Sequence, residues 1–218
     1  LSEGVTPTPD SISAQEISAV LQQFGCLYGY SDKVAYLHAE DIPPQMIKQI
    51  ADRMALVKEM LVYGVLRGCT NTYFGGTGTT IATVNGAITL GMVRKVVKNL
   101  AANHAEPITS VLKASADFDT SAVPEGYLVY CNTDMAPDIR DLPNFTPKEK
   151  YASGKPMPYE LGMCEEFRFI MSPDLPSLQN AGAAVGATGL ISTSGSNIDV
   201  YQFVVAARDA WSQIAVRG

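Results

Sequence analysis

The sequence is poor in charge and in the residue types that carry most catalysis and metal binding. Charged residues make up 17% of its 218 residues, against about 25% in an average soluble protein. It has two histidines and four cysteines, and no pair of cysteines has CxxC spacing. Only His38 and His104 could join the cysteines in a zinc site, and neither has ligand spacing. We therefore expect no metal and no cofactor, and interpret all four cysteines as small core hydrophobes.

Long apolar runs and basic clusters are also missing. No apolar run reaches the roughly 18–20 residues of a membrane span. The net charge is −6, and no five-residue window is rich in lysine or arginine. Because phosphate contacts supply most of a nucleic-acid binder's affinity, the sequence predicts no dedicated DNA or RNA site. It likewise predicts no membrane partner.

The sequence contains enough hydrophobic residues for a large core. It also contains one segment whose apolar spacing strongly predicts a helix. Hydrophobic residues are 46% of the chain, which excludes disorder as its main character. After Pro43 and Pro44, apolar residues recur at a helical spacing of three and four. These residues are Ile47, Ile50, Met54, Val57, Leu61 and Val65. The pattern predicts a long helix over residues 44–67, deeply buried at 60–66, where it is apolar almost all round.

The remaining patterns predict an α+β protein. A second amphipathic helix is expected over residues 89–103, and apolar stretches predict strands at 127–131, 167–171 and 198–207. Asn132 is placed to cap a short helix that runs to about Leu142. Alternating apolar residues also predict a strand pair or one bent strand within residues 12–31. Helices and strands are segregated rather than strictly alternating, which is typical of the α+β class.

No constellation in the sequence carries a recognisable catalytic mechanism. The Gly/Thr-rich stretch at residues 75–80 lacks the lysine of a phosphate-binding loop, so we interpret it as a flexible surface loop. His38 and His104 each have a glutamate two residues on, a spacing that need not bring the two side chains together. The acidic clusters are Glu165-Glu166 and the three aspartates 134, 138 and 141, and a helix N-terminus explains Asp134 and Asp138 without catalysis. The sequence therefore predicts no enzyme and no catalytic residue.

Taken together, the segments resemble a known family. LSEGVTPTPDSIS followed by AVLQQFGCLYGYSD, then a long helix ending in RGCTNTYFGG, resembles the major capsid proteins of tailed bacteriophages and prophages. TLGMVRKVVKNLAANHA, GYLVYCNTDMAPDIRDLP and ELGMCEEFRFIMS are similar to the same family in the same order. The strand–helix junction often reads His-Pro-Asp there, whereas here it is Asn132-Thr133-Asp134. The resemblance also makes us expect a chain trimmed at both ends.

The resemblance implies the capsid shell fold shared by tailed phages and herpesviruses. Residues 1–24 would be the returning half of an extended loop, an arm lying over a neighbouring subunit. Residues 25–85 and 201–218 would form a peripheral domain whose spine is the helix at 44–67, packed on β structure. Residues 86–200 would form an axial domain of mixed sheet and helices. The subunit would self-assemble into hexamers and pentamers that enclose packaged DNA.

The implied partners and location follow from that role. The chain would bind copies of itself, and a scaffolding protein, portal and maturation protease are further candidate partners. It would reside in the virion, and in the host cytoplasm during assembly. The residues expected at subunit interfaces are Val5, Pro7, Pro9, Ile12, Asp138 and Arg140.

Two alternatives stay open from the sequence. One is a soluble enzyme that uses carboxylates in a cleft near residues 181–197, which predicts a concave pocket and a carboxyl group with a shifted pKa. The other is an adhesion-type binding module, which would be an all-β sandwich. The predicted helix at 44–67 argues against that second alternative.

Overall fold

The computed structural model describes residues 11–213 except 15, 17, 19, 38–41, 114–119, 152–155 and 187–189. The chain forms two units, residues 1–58 and residues 59–218, which are considered one at a time. The boundary falls within a helix, so each unit holds part of it.

The first unit contains helix α1, Asp32–Leu37, and the first part of helix α2, Ile42–Arg67. The strand structure predicted within residues 12–31 is wrong for the described residues of that stretch, which are irregular. The alternation of Phe24, Cys26, Tyr28 and Tyr30 satisfied the strand period, but a strand also needs a hydrogen-bonded neighbour. No such neighbour pairs with these residues in the described part of the chain.

Helix α2 confirms the long helix predicted from the apolar spacing and begins two residues earlier than expected. Pro43 and Pro44 lie in its first turn, where backbone N–H groups have no helical partner to lose. The helix ends as Gly68 donates its N–H to Val65 O at 3.1 Å. The expected deep burial of residues 60–66 is wrong: Tyr63 is 6% exposed, but Leu61 is 40% and Val65 78% exposed.

The second unit is built on a five-stranded mixed sheet with the order β2-β3-β4-β1-β5. The strands are β1 Tyr127–Asn132, β2 Phe145–Pro147, β3 Glu160–Cys164, β4 Phe167–Ser172 and β5 Val204–Ala206. β1 and β4 run parallel, and the other pairs are antiparallel. The sheet confirms the predicted α+β class and the strands expected at 127–131 and 167–171. The strand expected at 198–207 is confirmed only at its end.

The two central strands hold the core because both of their faces are covered. Val129, Cys131 and Phe169 are at most 1% exposed, as expected for near-continuous apolar runs in buried parallel strands. Helix α3, Leu90–Ala102, contributes the buried Val93 to the same cluster. Thr89 caps α3 by accepting a hydrogen bond from the Met92 N–H at 3.3 Å. α3 thereby confirms the second predicted helix.

A short helical segment leads the chain away from β1. A single 3₁₀ turn, Thr133–Met135, continues into helix α4, Ala136–Arg140, which contributes Ile139 to the core. Asn132 Oδ1 accepts the Asp134 N–H at 2.8 Å, and Asn132 Nδ2 donates to Leu175 O at 2.6 Å. Asn132 therefore both caps the helical segment, as predicted, and fastens it to the chain after β4.

Replacing Asn132 with alanine is expected to lower the free energy of unfolding by about 1–2 kcal/mol. The variant loses the cap of the 3₁₀ turn and the amide donor to Leu175 O together. Urea-induced unfolding measures the difference. Asn132→Asp keeps the acceptor and loses the donor, so it should fall between the two proteins. An alanine variant as stable as the parent would contradict this account.

Candidate functional site

The structure describes three of the six residues predicted at subunit interfaces. Val5, Pro7 and Pro9 lie outside the described residues. Ile12 is 99% exposed, Asp138 is half-buried on α4, and Arg140 is exposed at the end of α4. Their interface role stays a prediction. Asp138 nevertheless lies in a groove of the second unit that was not expected from the sequence.

This groove, called here the acidic groove, is lined by residues 87–91, Asp138 and residues 141–143. It is a shallow, open depression of about 580 Å³. Its apolar side chains include Ile88, Leu90 and Leu142, which extend from the main core cluster. α4 supplies Asp138, and the turn after α4 supplies Asp141, so two carboxylates stand beside an apolar floor. Such a surface suits a ligand with an apolar body and a hydrogen-bond donor at its tip.

The Gly/Thr-rich loop is on the surface as predicted, and several hydrogen bonds close it. Thr77 donates its N–H to Asn85 Oδ1, and Asn85 Nδ2 donates to Thr77 Oγ1, both at 2.9 Å. Gly76 has a φ of +70°, and a side chain there would collide with Asn85. Glycine is therefore required at this position by both backbone conformation and space.

A second loop, residues 178–200, packs against the first through its own small core. Val84, Ile198 and Val200 are buried in that cluster, and Ala183 donates its N–H to Val84 O at 3.0 Å. This contact explains why the expected strand at 198–207 is confirmed only at Val204–Ala206: Ile198 and Val200 belong to a different cluster.

Asp199 anchors the second loop from inside. Its Oδ1 accepts the Asn180 N–H at 2.7 Å, and its Oδ2 accepts the Thr193 N–H at 2.9 Å. Oδ2 also accepts the Thr193 hydroxyl. The Thr193 hydroxyl, followed by the Asn180 N–H, lowers the pKa of Asp199 below its ordinary value. The carboxylate is thus held ionised by donors that close the loop on both sides.

Acidification is expected to destabilise the 178–200 loop through Asp199. A carboxyl whose pKa is lowered by folding contributes stability above its unfolded pKa, about 3.9, and loses it as pH falls through the folded pKa. The thermal midpoint should therefore fall as the pH is lowered from 7 to 3. In Asp199→Asn it should fall less steeply. Asp174→Asn, at an exposed aspartate, is the matched control. Equal acid sensitivity in Asp199→Asn and the parent would contradict the assignment.

A buried ion pair in the second unit is the polar feature that the sequence did not indicate. Glu160 is 1% and Arg168 4% exposed, and Arg168 Nε donates to Glu160 Oε1 at 2.9 Å. The same oxygen accepts the Tyr151 hydroxyl at 2.7 Å, while Glu160 Oε2 accepts the Met157 N–H at 2.7 Å. The guanidinium also stacks over the Tyr151 ring, 5.3 Å from its centroid. Burial and the hydrogen bond to Glu160 raise the pKa of Tyr151. Every member of this cluster makes a hydrogen bond, so the cluster ties β3 and β4 to Tyr151 and Met157.

The cysteines divide into two classes. Cys131 and Cys164 are buried in the core as predicted, whereas Cys26 and Cys69 are exposed, so the prediction is wrong for these two. Burial raises the pKa of Cys131 to about 12 and raises that of Cys164 as well. Among the described residues, no group of three or more histidine, cysteine, aspartate or glutamate side chains could hold a metal ion. No helix in the described ranges is long and apolar enough to cross a membrane.

Comparison with known proteins relates part of the chain to a phage protein. Over 90 residues the chain is 30% identical to the major capsid protein of Pseudomonas phage KPP21. The similarity covers 38% of this chain and 23% of that protein, so the chain spans less than a quarter of its relative's length. No protein-family model matches the chain. At a coarse level, then, part of this chain is similar to a phage major capsid protein.

Proposed function

We propose that the protein is a structural subunit of a phage or prophage capsid, a shell built from many copies around packaged DNA. The observation that carries the proposal is the 30% identity over 90 residues to the capsid protein of a Pseudomonas phage. Its function would be mechanical and would need no catalytic residue or cofactor.

The described residues of the first unit support this proposal because they form no buried core. No described residue between 11 and 58 is buried. Large apolar side chains there are strongly exposed: Ile12 99%, Leu27 96%, Val20 and Tyr36 88%, Leu37 82%, Leu21 68%, Ile47 67% and Met54 59%. Exposed apolar surface on this scale marks a surface that is covered by a partner. In a shell, neighbouring copies would cover it.

The finer assignments extend the proposal. Residues 1–24 would form an arm over a neighbour, residues 25–85 and 201–218 a peripheral domain, and residues 86–200 an axial domain. The arm residues Val5, Pro7, Pro9 and Ile12, together with Asp138 and Arg140, would lie at subunit interfaces. Copies would form hexamers and pentamers, with a scaffolding protein, portal and maturation protease as further partners. The subunit would reside in the virion, and in the host cytoplasm during assembly.

Negative-stain electron microscopy of the full-length product, expressed with adjacent scaffold or protease genes, tests the proposal. Closed shells or six-fold rings are the expected result. Uniform small particles at high protein concentration, with every adjacent gene present, would contradict a shell function.

Removing residues 1–13 from that product is expected to leave folding intact and to prevent shell formation. The reason is that an arm lying over a neighbour contributes to assembly rather than to its own subunit's core. Thermal unfolding and microscopy of the same preparation separate the two effects. Shells that still form at equal thermal stability would refute the assignment of the arm.

The alternative, an enzyme with a carboxylate cleft near residues 181–197, gains no support from the carboxylate found there. Both oxygens of Asp199 accept hydrogen bonds from the loop itself, and its pKa is lowered. A general acid or base working near neutral pH needs a pKa shifted the other way. Asp199 is better explained as a structural anchor.

A further inference from the structure

The turn of residues 157–160, which leads into β3, carries an exposed aromatic side chain on an unusual backbone conformation. Tyr159 has a φ of +61° and is 79% exposed. A positive φ is rare for a bulky residue, and exposed aromatic rings lose the benefit of burial. The backbone of Tyr159 serves its own turn, but the exposed ring adds little to the isolated subunit, so the ring points to a function outside its own fold.

The backbone on both sides of Tyr159 is fastened. Its carbonyl oxygen accepts the Met171 N–H at 3.0 Å, and Glu160 donates its N–H to Met157 O at 3.1 Å. The Glu160 side chain, buried in the ion pair with Arg168, also accepts the Met157 N–H. The turn therefore fixes the backbone that carries the Tyr159 ring, which lowers the backbone entropy that a contact through this ring would lose.

The acidic groove offers a site of matching chemistry. Its apolar residues Ile88, Leu90 and Leu142 can receive an aromatic ring, and its volume of about 580 Å³ exceeds what one ring needs. Asp138 and Asp141 are acceptors for a phenolic hydroxyl at the tip of that ring. Tyrosine combines those two properties, an apolar body and a polar end.

The turn and the groove lie at opposite ends of β3. Tyr159 immediately precedes the strand, whereas Pro143, at the groove, accepts a hydrogen bond through its carbonyl oxygen from Cys164, the last residue of the strand. The four residue steps of β3 separate the two by roughly 13 Å. Since Tyr159 is 79% exposed, it does not occupy the groove of its own copy. Only another copy can bring the two together.

Charge favours the same pairing. β2 runs antiparallel to β3 and delivers the exposed turn Lys148–Lys150, with Glu149 between the two lysines, to the Tyr159 end. The groove at the other end is lined by two aspartates and by no basic residue; Arg140 lies on α4 between them and outside the lining. The exposed turn at the tyrosine end thus carries one net positive charge over residues 148–150, and the lining of the groove carries two aspartates.

We propose that Tyr159 of one copy seats in the acidic groove of the next copy. This inference rests on the proposed function, which it deepens by naming a contact between neighbouring subunits. The contact joins two different surfaces, so it is heterologous, and a heterologous contact closes into a ring when its rotation permits. Asp138, expected at an interface from the sequence, takes part on the receiving side.

Cross-linking of the full-length protein tests the contact. The parent carries Cys26→Ser and Cys69→Ser, because those two cysteines are exposed, while Cys131 and Cys164 are buried. Pro158→Cys, at an exposed residue beside Tyr159 that leaves the ring in place, and Ala87→Cys are added together or separately and treated with a short bifunctional maleimide. The double variant should give a ladder of covalent oligomers, a mixture of the two single variants should give dimers, and each single variant alone should give none.

The outcomes separate the contact from the proposed function. A Pro158→Cys variant that cross-links to itself, or an assembling double variant without a ladder, overturns the contact and leaves the shell function standing. A parent that stays monomeric by sedimentation at high concentration, with the adjacent genes present, counts against both.

A second set of variants measures the contribution of the ring. Tyr159→Ala should weaken association by about tenfold or more, as truncation of an aromatic anchor does. The control Ile191→Ala, at another apolar residue that is 76% exposed, should change it by less than about twofold. Tyr159→Gly should weaken association as much while leaving the thermal midpoint unchanged or higher, because glycine accepts a positive φ. A lower midpoint with unchanged association would assign Tyr159 to its own fold and overturn the proposal.

Discussion

Replacing Arg168 with methionine is expected to lower the free energy of unfolding by about 3–5 kcal/mol. The substitution leaves the Glu160 carboxylate, 1% exposed, without its cation. The remaining donors, the Tyr151 hydroxyl and the Met157 N–H, carry no full charge and cannot replace a guanidinium. Urea-induced unfolding followed by circular dichroism measures the loss.

Two further variants show that burial, rather than the loss of an arginine, causes the effect. Arg94 pairs with Glu165 at 2.7 Å, but its side chain is 59% exposed, so Arg94→Met should cost less than about 1 kcal/mol. The double variant Glu160→Met, Arg168→Met should recover part of the loss, because no charge is then buried alone. Equal losses in Arg94→Met and Arg168→Met would sink the explanation.

Replacing Phe169 with alanine should cost a similar amount for a different reason. The side chain is 0% exposed and meets Phe167 edge to face, with ring centroids 6.3 Å apart. Removing a buried aromatic ring loses its transfer free energy and leaves a cavity, together about 3–5 kcal/mol. The same unfolding measurement applies.

The matched control for Phe169 is Val111→Ala. Val111 is 56% exposed in the same unit, so its truncation should change stability by no more than about 0.5 kcal/mol. If Phe169→Ala lost less than about 2 kcal/mol, the central strands would not form the cooperative core described above.

Local sequence patterns predicted those helices, strands and caps that depend on residues close together in the chain. The apolar spacing of α2 and α3, the cap at Asn132 and the apolar runs of β1 and β4 all appear in the structure close to their expected bounds. Each of these signals acts over at most a few turns of chain, where side-chain period and capping chemistry decide the backbone.

Features that depend on distant pairing could not be predicted in the same way. β2 and β3 are short, and β2 contains Pro147, so neither carries a strong strand signal of its own. Glu160 and Arg168 meet only because β3 and β4 pair antiparallel. The acidic groove likewise joins two stretches of chain nearly 50 residues apart. The local composition of these segments does not predict which distant segment each one pairs with.

The wrong predictions for the described part of residues 12–31 and for the burial of helix α2 share one physical cause. Periodicity says which residues would lie on one face, but not whether that face is covered by the same chain. Phe24 and Tyr30 alternate as a strand would, yet they are 53% and 49% exposed. The apolar positions of α2 form a helix as predicted, yet Met54 and Val65 are exposed. A subunit that is completed by its neighbours would produce this mismatch.

The two buried thiols can report opening of the sheet, because they become reactive only when the sheet opens. Cys131 on β1 and Cys164 on β3 are both 0% exposed, and a pKa of about 12 keeps the Cys131 thiol protonated at neutral pH. A thiol reagent reaches such groups only after the sheet opens, whereas Cys26 and Cys69 react at once. Pulsed alkylation of Cys131 and Cys164 would therefore measure how often the core opens at two positions, with no cysteine introduced by mutation.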